Sequence, residues 1–85
     1  MTYRIIIARG AAKTFRGLHP QVAARLKTAI QELAEDPRPP GSLQLSGGDG
    51  ELRIRVGDYR IVYDIQDDEL VVLVLRVGHR REVYR

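Results

Sequence analysis

The segment from Leu52 to Tyr63 leaves a chain like this few choices. Leu52-Arg53-Ile54-Arg55-Val56 alternates apolar and basic residues without a break, Gly57-Asp58 follows, and Tyr59-Arg60-Ile61-Val62-Tyr63 comes next. Alternation with a period of two marks a strand with one buried face, and Gly-Asp between two such runs suits a two-residue hairpin turn. With Gly57 and Asp58 as the turn, Val56 pairs with Tyr59, Arg55 with Arg60, Ile54 with Ile61 and Arg53 with Val62. Leu52, Ile54, Val56, Tyr59, Ile61 and Tyr63 then share the core face, and Arg53, Arg55 and Arg60 share the other. A slip of one residue would bury the arginines, so the register is well specified.

The remaining segments supply what covers that face. Tyr3 to Ile7 is β-branched and aromatic, hence a first strand. Gly10 to Arg16 suits a short helix ending near Gly17, and His19-Pro20 opens a second helix with proline at a tolerated first-turn position. Val22, Leu26, Ile30 and Leu33, supported by Ala23 and Ala29, fall on one face of it. It stops at Asp36-Pro37, because the residue before a proline disfavours helix. Pro37 to Gly41 is a stiff loop, and Leu43 to Gly50 returns the chain to a sheet. Gln66 to Glu69 is a polar turn, and Leu70 to Leu75 is continuously apolar, as a strand covered on both faces would be. The expected order is β-α-α-β-β-β in a single domain spanning residues 1–85. That is an α+β fold with helices on one face of an antiparallel meander.

Composition removes several functional classes. The chain has 85 residues and no cysteine, which excludes a disulfide framework and a thiolate zinc site. Leu70 to Leu75 is too short to cross a bilayer, and Met1 to Ile7 is too short for a signal-peptide core, so a cytoplasmic protein without membrane association is expected. Gly47-Gly48-Asp49-Gly50 lacks the lysine and following helix of a phosphate loop. His19 reads as a capping or surface histidine, and two histidines without matching carboxylate spacing make no metal site. No nucleophilic triad is discernible, and no cofactor is expected.

The basic residues carry more information by position than by number. Twelve of the fourteen are arginines, which suit planar, bidentate contact with phosphate or carboxylate, although a codon bias accounts for the ratio equally well. Arg55 directly opposite Arg60 is a destabilising pair, tolerable where an anion is held or where Asp58, Asp64 or Glu51 neutralises it. After the apolar strand the tail Arg76-Val77-Gly78-His79-Arg80-Arg81-Glu82-Val83-Tyr84-Arg85 is dense in arginine. In a meander this tail returns beside Tyr59, so Arg80 and Tyr84 are expected at the rim of the arginine face. Arginines for phosphates and an aromatic ring for a base are what a single-stranded RNA site uses. The bland alternatives are a tyrosine packed on the sheet edge and a disordered electrostatic tail.

Taken together, Leu45-Ser46-Gly47, the hairpin from Leu52 to Tyr63 and Val77-Gly78-His79-Arg80-Arg81-Glu82-Val83-Tyr84 resemble the RelE/ParE superfamily of toxin–antitoxin toxins. The resemblance covers nearly the whole chain. It implies a RelE-type toxin that cleaves messenger RNA in the ribosomal decoding site by metal-free attack of the RNA's own 2′-hydroxyl. It also implies a cognate antitoxin that covers the site, and operator DNA bound only through the antitoxin complex. The family's functional positions fall on Arg53, Arg55, Arg60, Arg80 and Tyr84, with Arg76, Arg81 and Arg85 as further RNA contacts. RelE carries lysines at the first two of these positions, one of them the proposed base, whereas arginine stays charged. The base is therefore open between Arg55, His79 and assistance from the ribosome. ParE-type members share the fold and poison DNA gyrase through a protein contact, and a degenerate antitoxin-binding member is the third possibility.

Overall fold

A computed structural model of the chain describes residues 2–44 and 50–79. The elements are β1 (Arg4–Ile7), α1 (Arg9–Arg16), α2 (Pro20–Glu35), β2 (Leu43–Gln44), β3 (Leu52–Val56), β4 (Tyr59–Gln66), a 3-10 turn (Asp67–Glu69) and β5 (Val71–His79). They form a five-stranded sheet in the order β1-β5-β4-β3-β2, with the helices on one face. The β3–β4 hairpin has the expected register, from Leu52 opposite Tyr63 to Val56 opposite Tyr59.

Local chemistry accounts for the helix boundaries. His19 caps α2 by accepting the Gln21 N–H on Nδ1 at 3.2 Å, and Pro20 takes the first helical position. Leu26, Ile30 and Leu33 are buried from α2, and Ala11 from α1. They pack on Ile54, Ile61, Tyr63, Val72, Val74 and Val77 of the sheet. Tyr63 has no exposed surface, and its hydroxyl donates to the Pro37 carbonyl at 2.8 Å, fastening the stiff loop after α2 to the sheet. Burial pushes the Tyr63 phenol above its ordinary pKa. At the surface, Asp67 accepts from Arg38 at 2.9 Å and from Tyr3 at 2.6 Å, linking three segments. Arg38 first, and Tyr3 after it, hold that carboxyl below its usual range.

Three features depart from the simple meander. The sheet is mixed, because β1 lies parallel to β5, with Ile5 beside Val72 and Ile6 beside Leu73. This makes β5 an interior strand, paired along both edges, with the helices on one of its faces. Leu70 precedes β5 in the left-handed conformation (φ 53°), and the strand runs on through His79 instead of ending at Leu75. A bulge then interrupts the β4–β5 ladder: Val62 pairs with Arg76 and Tyr63 with Val74, leaving Leu75 as the extra residue. Ordinary alternation would carry Arg76 to the helix side with Val72 and Val74. The bulge reverses the phase, so Val77 enters the core and Arg76 points away from it. The expected strand from Leu43 is described only over Leu43–Gln44, and the remainder to Asp49 lies outside the described residues.

Candidate functional site

Two rows of cross-strand neighbours build the sheet face turned away from the helices. Arg55, Arg60 and Gly78 stand side by side in one row, and Arg53, Val62 and Arg76 in the next. Directly opposed residues place their Cβ atoms about 4.5–5.5 Å apart, so four arginines crowd a small area. Val62, fully buried, is the apolar floor between Arg53 and Arg76. Gly78 contributes no side chain, so in this row Arg60 has an arginine neighbour on one flank alone.

The arginines are not equivalent. Arg55 and Arg76 are exposed, whereas Arg53 and Arg60 are half-buried. The Nη1 of Arg60 is withdrawn from solvent, which distinguishes it from a solvated surface charge. Arg76 Nη2 lies 3.9 Å from Glu51 Oε1, a long surface pair worth little. Of the three expected counter-charges, Glu51 is thus the one found against Arg76. Arg55 donates its Nε–H to the Gly57 carbonyl at 3.2 Å, which draws its guanidinium toward the hairpin tip.

His79 does not join the arginines. It pairs with Tyr59, so the strand directs it to the helix-covered face, where the two rings meet edge to face at 5.8 Å and 78°. The Leu75 bulge sets this phase, which puts His79 on the opposite face of the sheet from Arg53, Arg55 and Arg60. Arg80, Arg81, Tyr84 and Arg85 lie outside the described residues. A residue that sequence patterning did not single out also reaches this region. Arg25 of α2 brings its Nη2 to 3.5 Å from where a Cβ on Gly57 would lie. Among the described residues no cluster of three or more His, Asp or Glu is disposed to hold a metal.

Comparison with known proteins bears on the family and the fold. The model of the ParE toxin of the type II toxin–antitoxin system parDE matches residues 5–84. The toxin RelG of Mycobacterium tuberculosis is 31% identical over 86 residues, covering 100% of this chain and 99% of that protein. The mRNA interferase toxin RelE of Escherichia coli is 33% identical over 87 residues, covering 99% and 92%. Among solved structures, the toxin–antitoxin complex RelBE2 of M. tuberculosis superposes with a TM-score of 0.80 at 28% identity, covering 94% of this chain and 100% of that one. A family model matched over residues 5–84, relatives above 30% identity across the whole chain and a superposable fold place the chain in the RelE/ParE superfamily: it is a toxin of the type II toxin–antitoxin class.

Proposed function

We propose that this toxin is a metal-independent endoribonuclease that cleaves messenger RNA in the ribosomal decoding site. The observation that supports the reading is the double row of arginines on the sheet face turned away from the helices. In the reaction the 2′-hydroxyl loses its proton and its oxygen bonds to the adjacent phosphorus. The bond to the 5′-oxygen breaks and that oxygen takes up a proton, leaving a cyclic phosphate and a free 5′-hydroxyl. Arg53 and Arg60 hold and neutralise the pentacoordinate phosphate, a task for which permanently charged, bidentate donors are suited. Arg55 and Arg76 extend the phosphate contacts. Arg80 assists the leaving oxygen and Tyr84 orients or stacks on the RNA, with Arg81 and Arg85 as outer contacts. His79, on the other face with Tyr59, is disfavoured as the base, and Arg55 is disfavoured because it does not deprotonate.

A cognate antitoxin neutralises the toxin in the cytoplasm, as RelB partners RelE in the solved complexes, and operator DNA is met through that complex. No helix among the described residues is long and apolar enough to cross a membrane. The test is induction in bacterial cells with primer extension on a translated message. Cuts within codons that vanish when initiation is blocked, and that are lost in Arg60→Ala and Arg80→Ala, are expected. The ParE name of the matching family model favours a second reading, gyrase poisoning. Growth arrest with intact message and accumulating DNA breaks would establish that reading instead.

A further inference from the structure

Two arginines from different layers of the molecule converge on the tip of the β3–β4 hairpin. Arg55 arrives from the sheet and binds the Gly57 carbonyl through Nε at 3.2 Å. Arg25 arrives from α2, with Nη2 and Nη1 at 3.5 and 4.0 Å from the Cβ position of the same glycine. Gly57 holds φ +61° and has no Cβ, so no side chain of this residue stands in the way of the Arg25 guanidinium. Both arginines are exposed. Beside the tip is a recess of about 180 Å³ whose walls include Arg25, Leu26, Val56, Asp58 and Tyr59.

A closed hairpin turn has no need of a second cation, and two guanidinium groups around one residue repel each other. Asp58 in the turn offsets part of that repulsion. An anion bridging the two arginines relieves it more fully, and phosphate is an acceptor that guanidinium groups bind well. We propose that Arg25 and Arg55 form a second phosphate subsite at the hairpin tip, which takes an RNA backbone phosphate next to the one held by Arg53 and Arg60. Tyr59 supplies an apolar wall for the adjoining sugar or base. Arg55 belongs both to the sheet row and to the tip, so the strand passes from the arginine face around the hairpin toward α2. This inference rests on the reading of the toxin as an RNA-cleaving protein.

The test uses the full-length chain from cell-free synthesis and a fluorescein-labelled single-stranded RNA of twelve nucleotides, followed by anisotropy across a range of KCl concentrations. Arg25→Ala is expected to reduce the slope of log affinity against log salt by about 0.7, the share of one phosphate contact on a single strand. Arg25→Lys is expected to restore that slope, and Lys13→Ala, on the exposed surface of α1, to leave it unchanged. Circular dichroism checks that each variant is folded. A slope and affinity for Arg25→Ala equal to those of Lys13→Ala would overturn the proposal. If Arg60→Ala weakens binding while Arg25→Ala does not, the subsite falls and the RNA reading stands. If the unaltered chain binds RNA without salt dependence, both fall. Loss of antitoxin binding in Arg25→Ala with RNA binding intact would also overturn it, and would assign the tip to an acidic protein segment.

Discussion

Arg55 and Arg60 face each other directly across the hairpin, and the consequence is measurable as a coupling energy. Two unit charges about 8 Å apart in a water-like dielectric repel by about 0.5 kcal/mol, which sets the scale for this pair. The partial burial of Arg60 lowers the effective dielectric and raises the figure toward about 1 kcal/mol. A single Arg55→Gln change does not isolate this quantity, because it also removes the bond from Nε to the Gly57 carbonyl. A double-mutant cycle of Arg55→Gln, Arg60→Gln and both together cancels that contribution.

Unfolding of the four proteins by urea at low salt should show an unfavourable coupling of about 0.5–1 kcal/mol, which falls close to zero at 1 M NaCl, where the screening length is about 3 Å. Saturating single-stranded RNA should make the same coupling favourable, since a phosphate between the two arginines turns repulsion into shared attraction. An attractive coupling without RNA, or one indifferent to salt, would refute the reasoning. It would mean that the two side chains are already reconciled within the fold, and that the pair is not strained in favour of an anion.

The other predictions concern the frame that holds the face. Tyr63→Phe removes the donor to the buried Pro37 carbonyl and should cost about 1–2 kcal/mol, seen as a Tm loss of at least about 4 °C; an unchanged Tm would show that the loop is held otherwise. Asp67 titrates lower in the folded than in the unfolded chain, because Arg38 and then Tyr3 bind its charged form. Its stabilisation is thus present above the unfolded carboxyl value and disappears as pH falls through the folded one. Asp67→Asn should lower Tm at neutral pH and leave it unchanged in strong acid, and an equal loss at both would contradict this. Gly57→Ala places a Cβ on a left-handed residue and should cost about 1–2 kcal/mol. Gly57→Asn, which tolerates that conformation better, should cost less by thermal unfolding.

Much of this architecture was readable from residue order because the period-two pattern and the turn act on the same residues. In Leu52 to Tyr63 they agree, so the register of every pair and the shared face of Arg53, Arg55 and Arg60 followed directly. The helix limits were equally legible, since His19-Pro20 and Asp36-Pro37 impose them chemically. The β4–β5 pairing was harder to anticipate. A run such as Leu70 to Leu75 is apolar at every position, so it carries no alternation from which a phase can be read. The bulge at Leu75, and with it the opposite fates of Arg76 and His79, left no mark in the sequence. The parallel pairing of β1 with β5 and the approach of Arg25 to Gly57 depend on contacts between distant segments, which periodicity does not encode.

On the proposed reading, the same arrangement separates binding from proton transfer. Arginine stays charged throughout the neutral range, so RNA affinity carried by Arg53, Arg55, Arg60 and Arg76 should stay level from pH 6 to 9 at constant ionic strength. For the same reason none of the four accepts the 2′-hydroxyl proton. On the proposed reading, any inflection in the cleavage rate across that range reports a group outside them. Measuring RNA affinity and cleavage on translating ribosomes over one pH series therefore divides the two functions. Level binding beneath a titrating rate would assign the arginines to holding the phosphate and the base to another group. Binding that itself titrates near neutrality would show that a group other than these arginines governs RNA capture, and the division between holding the phosphate and moving the proton would fail.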